Sequence, residues 1–105
     1  MKYIIVLMTV SSKSEAEDII QKLLEEHLIA CANILDAVCS LFWWKEKIEQ
    51  ENETLVLMKS SEELFKKLTK RIQDLHSYEV PEILALPILD GSQSYLDWMK
   101  TALNR

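Results

Sequence analysis

The sequence predicts an α+β fold whose strands and helices alternate as βαββαβ, with one further helix at the C-terminus. Three observations carry this. Two segments repeat apolar residues with the helical period, each behind a Ser-x-x-Glu start signal. An apolar, β-branched run opens the chain. Two long strand-like segments also follow one another with no helix between them.

Residues 2–10 are apolar with almost no alternation, as expected of a central strand covered on both faces. Ser12-x-x-Glu15 then reads as a capping box. Behind it Ala16, Ile19, Ile20, Leu23, Leu24 and His27 recur on one stripe, while Glu17, Asp18, Lys22, Glu25 and Glu26 form the wet side. Residues 28–45 and 48–59 read as two strands, with their turn near Lys45-Glu46-Lys47 although no Asn-Gly or Asp-Gly marks it. Ser60-x-x-Glu63 predicts a second capped helix burying Leu64, Phe65, Leu68, Ile72 and Leu75. The stretch HSYEVP ends that helix, because Val80 before Pro81 is driven to extended backbone. Ile83–Leu89 make a fourth strand, Gly91 a turn, and Ser94-x-x-Asp97 caps a last helix with Tyr95, Trp98, Met99 and Ala102 inward. The order is that of a ferredoxin-like two-layer sandwich, two helices on one face of a four-stranded sheet, in one domain spanning 1–105.

Strand 28–45, if unbroken, spans about 60 Å. A chain of 105 residues folds to a diameter of about 34 Å. The strand therefore breaks, with Asp36 the candidate, or the hairpin projects as an arm. Trp43 and Trp44 are adjacent, so they point to opposite faces. A projecting arm with an indole on each face exposes an apolar patch unless another chain covers it, which favours a homo-oligomer.

A net charge of −5 argues against a nucleic-acid backbone as partner. The opening apolar run is too short for a membrane span, and no small-residue cleavage site follows it. Cys31 and Cys39 then read as reduced thiols of a cytoplasmic protein. On one continuous strand they share a face but lie roughly 26 Å apart, too far to chelate one ion. No CxxC, HxxH or HExxH spacing marks a zinc site, and no nucleophile motif or Gly-rich phosphate loop marks an enzyme. His27, at the end of a helical stripe, suits a core or C-capping role. Cys31 and Asn33 share one strand face, where a buried Asn needs partners from a polar pocket or subunit boundary. In HSYEVPEI, His76 sits where a helix ends and favours a partly cationic ring. Tyr78, Glu79 and Glu82 exceed what a helix exit requires, and carboxylates beside an imidazole can hold a cation or move protons.

Taken in order, CAN at 31–33, LFWWKEKIEQE at 41–51, LMKS at 57–60, HSYEVPEILALPI at 76–88 and SYLDWM at 94–99 resemble the CutA family of divalent-cation tolerance proteins. The likeness covers essentially the whole chain. It implies a ferredoxin-like domain assembled as a homotrimer through extended hairpins, with no catalytic activity and an association with divalent metal ions. Carried over by position, it implies Cys31, Asn33, Trp43, Trp44, Lys59, His76, Tyr78, Glu79, Pro81 and Glu82 near an inter-subunit cleft. Cys31 and His76 are the expected ligands of copper(II), since thiolate and imidazole suit that ion. Asn33, Trp43, Trp44, Lys59, Tyr78, Glu79 and Glu82 are expected to line the cleft. The alternative is a trimer of the PII-like kind, its clefts holding a small anionic or aromatic ligand. Three positions depart from the family. Ser77 stands where HPYE is usual, which implies a less rigid loop. Glu46 stands where the hairpin commonly has Gly, and Cys39 where Thr or another residue is common.

Overall fold

In the computed structural model, which describes residues 1–104, four strands form one antiparallel sheet in the order β2-β3-β1-β4. The elements are β1 (Tyr3–Val10), α1 (Lys13–Glu25), β2 (Cys31–Trp44), β3 (Lys47–Ser61), a 3-10 turn at Glu62–Leu64, α2 (Phe65–Leu75), β4 (Leu84–Pro87) and α3 (Gln93–Leu103). This is the predicted βαββαβ order with its terminal helix.

The apolar residues of β1 turn out to serve two faces differently. Ile4, Val6, Met8 and Val10 are buried with Val56 and Met58 against Ala16, Ile19, Ile20 and Leu23 of α1 and Leu68 and Ile72 of α2. Their neighbours Tyr3, Ile5, Leu7 and Thr9 are only half-buried. The expectation of cover on both faces is thus met on one. On the open face the strand pairings place Ile5, Leu7, Leu35, Leu55, Leu57, Leu84 and Leu86 side by side, because directly paired residues share a face. A run without alternation looks alike in sequence whether this chain or another covers its second face.

α3 packs on that second face, at one end only. Met99 and Leu103 meet Ala30 and Tyr3, and Tyr95 reaches Cys31. The plain two-layer arrangement therefore carries part of a third layer. Tyr95 and Trp98, expected inward, lie together at its edge and stay exposed.

Two predicted capping boxes do not form. Ser60 Oγ is buried and donates to the Leu28 carbonyl at 2.6 Å, while Ser94 lies inside α3. The first box forms by half: Ser12 Oγ accepts from the Glu15 N–H at 3.1 Å, but the Glu15 carboxylate turns elsewhere. His27 takes the left-handed position after α1 (φ 57°), and its Nδ1 lies 2.9 Å from the Ala102 carbonyl. It thereby ties the end of α1 to α3.

The long hairpin both breaks and projects. Leu35 pairs with Leu55 but Val38 with Glu53, so β2 carries one extra residue at Asp36-Ala37. Ala37 there is left-handed (φ 59°), and Asp36 Oδ1 accepts from the Ala37 N–H and the Thr54 hydroxyl at 2.9 and 3.0 Å. The bulge reverses the facing of everything beyond it. Cys31 lies on the open face and Cys39 on the opposite one, which corrects the expectation that they share a face. At the tip, Lys45 and Glu46 both have positive φ (49° and 66°) between paired Trp44 and Lys47. This is a two-residue turn of the I′ kind built without glycine. The arm draws the molecule out to 44 × 25 × 23 Å, well beyond the roughly 34 Å of a round domain of this length.

Candidate functional site

The sequence-predicted residues separate into two clusters at opposite ends of the open sheet face. The first is a groove of about 1080 Å³ between the hairpin arm and the loop after α2. The arm supplies Phe42, Trp43 and Trp44 with Glu49, Glu51 and Glu53, and the loop supplies Tyr78, Glu79, Pro81 and Glu82. Among the described residues no Lys, Arg or His lines it. Trp43 is 72% exposed and Trp44 39%, so the indoles form an accessible rim.

One hydrogen bond locks loop to arm. The Tyr78 hydroxyl donates to Glu53 Oε2 at 2.5 Å, and Glu53 is only 6% exposed. Burial raises the Tyr78 phenol far above its ordinary range, and the Glu53 carboxylate, which needs the proton kept, adds to the effect. The Tyr78 ring also lies 4.7 Å from that of His76.

His76 itself is behind the groove rather than in it. Nε2 lies 2.8 Å from the Thr9 carbonyl, and Nδ1 accepts the Tyr78 N–H at 3.0 Å. A carbonyl can only accept and an N–H can only donate, so the ring carries its proton on Nε2. Both nitrogens are occupied. Ser77 does not loosen this loop as expected. Its N–H and Oγ both donate to Glu15, at 2.9 and 2.8 Å, bonds of which a proline could make neither. Burial pushes the Glu15 carboxyl up, but Ser77, Ser11 and His76 together outweigh it and hold the group below its ordinary value.

The second cluster lies about 20 Å from Glu53 along β3, at Lys59. Cys31 is paired directly with Lys59, and Asn33 stands two residues on, on the same face. Lys59 Nζ donates to Asn33 Oδ1 at 2.8 Å and to Cys31 Sγ at 3.4 Å, while the Tyr95 hydroxyl is 3.7 Å from the sulfur. Burial works to lower the Lys59 pKa, yet Cys31 and Tyr95 leave it raised.

The structure thus joins Trp43, Trp44, Tyr78, Glu79 and Glu82, and separately Cys31, Asn33 and Lys59. It does not bring the two expected metal ligands, Cys31 and His76, together. Among the described residues no group of three or more His, Cys, Asp or Glu side chains stands close enough to hold one ion. Sequence reasoning missed Glu53, Glu15 and Tyr95. Glu53 had one usable signal, a carboxylate at the start of the apolar half of its strand.

The family model described as CutA1 divalent ion tolerance protein matches residues 4–102. The chain belongs to the CutA1 family. It is 43% identical over 96 residues to the divalent-cation tolerance protein CutA of Thermus thermophilus, covering 91% of this chain and 93% of that one. Its fold matches CutA1 from Oryza sativa with a TM-score of 0.96 at 34% identity, over 100% of this chain and 96% of the other. The CutA of Archaeoglobus fulgidus, described as periplasmic, matches with a TM-score of 0.94 at 36% identity over 97% and 99% of the two chains. Among the described residues no helix is long and apolar enough to cross a membrane.

Proposed function

We propose that this CutA1-family chain is a non-catalytic, cytoplasmic homotrimer that collects divalent cations, copper(II) foremost, in clefts at its subunit boundaries. The supporting observation is the groove: among the described residues, five glutamates and no basic side chain line one concave surface beside exposed indoles. Such a surface attracts cations and repels anions. The donors of one chain do not by themselves fit a resident metal centre, since no three stand close enough and both His76 nitrogens are engaged. In this reading a neighbouring subunit completes the coordination sphere, and the open leucine face with the projecting arm is what that neighbour covers. Carboxylates of the groove then supply the first ligands, and Cys31 a soft one from another quarter of the cleft.

A second reading rests on the other cluster. Lys59, held by Asn33 beside Tyr95, suits a small anionic or aromatic ligand, as in a PII-like signalling trimer. Light scattering on untagged protein tests the trimer, and a monomeric mass would overturn it. Equilibrium dialysis against copper tests the cation site: Glu49→Gln/Glu51→Gln should weaken uptake at least tenfold, and unchanged uptake would remove the groove from the reading. Thermal stabilisation by anionic metabolites but not by metals would favour the second reading.

A further inference from the structure

We propose that Cys31 and Lys59 form a peroxide-responsive pair, in which a hydroperoxide oxidises the thiol and the lysine amine captures the sulfur as a reversible sulfenamide bridge. The pairing of β2 with β3 puts the two residues directly opposite each other, with Nζ 3.4 Å from Sγ. Asn33 Oδ1 holds the same nitrogen at 2.8 Å, so the amine does not wander from the sulfur. The Tyr95 hydroxyl lies 3.7 Å from the sulfur, where either group can donate. Cys31 is half-buried, which suits a small oxidant over a bulky thiol.

The steps balance without a further reactant. Cys31 Sγ attacks one oxygen of hydrogen peroxide: an S–O bond forms, the O–O bond breaks, and the departing oxygen leaves as water with the thiol proton, relayed through Lys59 or Tyr95. The Lys59 amine, its own extra proton released to solvent, then attacks the sulfenic sulfur. An S–N bond forms, the S–O bond breaks, and the hydroxyl leaves as a second water. In sum, one thiol, one ammonium and one peroxide give a sulfenamide, two waters and a proton. Sulfur is oxidised by two electrons and peroxide is reduced.

Cys39 is the built-in control. It is exposed, lies on the other face of the bulged strand, and accepts from the Gln50 amide at 3.4 Å. Among the described residues no lysine amine is bonded to it.

The test treats the full-length Cys39→Ser protein with hydrogen peroxide and maps its peptides by mass spectrometry. The expected product is a peptide pair joining Cys31 to Lys59, lighter by two hydrogens and reopened by dithiothreitol. Lys59→Arg in the same background should lose the linked pair and leave Cys31 trapped by dimedone. The experiment on the protein with Lys59 intact decides the matter whether or not the arginine variant folds. A dimedone adduct or sulfinic acid on Cys31 without the linked pair would overturn the proposal. So would a Cys31 thiol left reduced, in the unsubstituted chain, under peroxide that oxidises Cys39.

Discussion

Replacing Tyr78 by Phe removes one oxygen and leaves the ring beside His76, so the change isolates the hydroxyl's bond to Glu53. That bond has a charged acceptor, and Glu53 is too enclosed to recover the loss from solvent. A hydrogen bond to a charged group contributes about 1.5–3 kcal/mol, and orphaning a buried acceptor falls at the upper end. We expect Tyr78→Phe to cost about 2–3 kcal/mol, a fall in Tm of about 10–20 °C for a chain of this size. The assay is guanidinium chloride unfolding at one fixed protein concentration, which holds constant the stability that a proposed trimer would gain by mass action. Glu53→Gln makes the acceptor neutral, so the cost of Tyr78→Phe in that background should drop to about 1 kcal/mol. A loss below about 0.5 kcal/mol, or strictly additive single variants, would refute the view that this one contact fastens the loop to the arm.

The same phenol should be the last to ionise: absorbance titration at alkaline pH should lose its highest step in Tyr78→Phe. Its folded pKa is raised, so its share of stability is whole below about pH 10 and fades as pH climbs toward the folded value. Glu15 has the opposite sign. Its folded pKa is lowered, so its contribution is complete above 4.5 and is lost as pH falls through the folded value. Glu15→Gln should flatten the acid limb of a stability–pH curve, and an unchanged limb would count against the Ser77 anchor. Ser77→Pro deletes both Ser77 bonds to Glu15 and should destabilise by about 1–2 kcal/mol despite the stiffer chain, as read from chemical unfolding. Glu46→Gly relieves a left-handed non-glycine residue at the hairpin tip and should stabilise by roughly 1 kcal/mol. A neutral result in thermal melts would indicate that the turn adapts.

What the sequence made legible was whatever depends on neighbours along the chain. The stripes of α1 and α2 were readable because Ile19, Leu23, Leu68 and Ile72 recur with the helical period, and the strand lengths alone demanded either a break, with Asp36 the candidate, or a projecting arm. Contacts set by distant partners were not readable. Ser60 looked like a cap because it precedes acidic residues, yet its hydroxyl answers the Leu28 carbonyl across the sheet. His76 looked like a ligand because imidazole often is one, but the Thr9 carbonyl, on another element, accepts the hydrogen bond from its ring. The bulge hid because alanine gives no hint of left-handed backbone, and with it hid the true facing of Cys39 and both indoles. Leu84 and Leu86 read only as part of a strand, and a leucine left on an open face has the same side chain as one that is packed.

The single extra residue at Asp36-Ala37 also gives the strand two grammars. Upstream, odd-numbered positions of β2 face the open side; downstream, even-numbered ones do. Deleting Ala37 would remove the kink and still leave Val38 opposite Glu53, so the tip would keep its faces and the groove its side chains. Flattening the bulge with Ala37 in place would instead turn Val38, Ser40, Phe42 and Trp44 to the opposite surface. The left-handed turn at Ala37 is thus what lets a strand one residue too long for its partner present the right side chains at its tip.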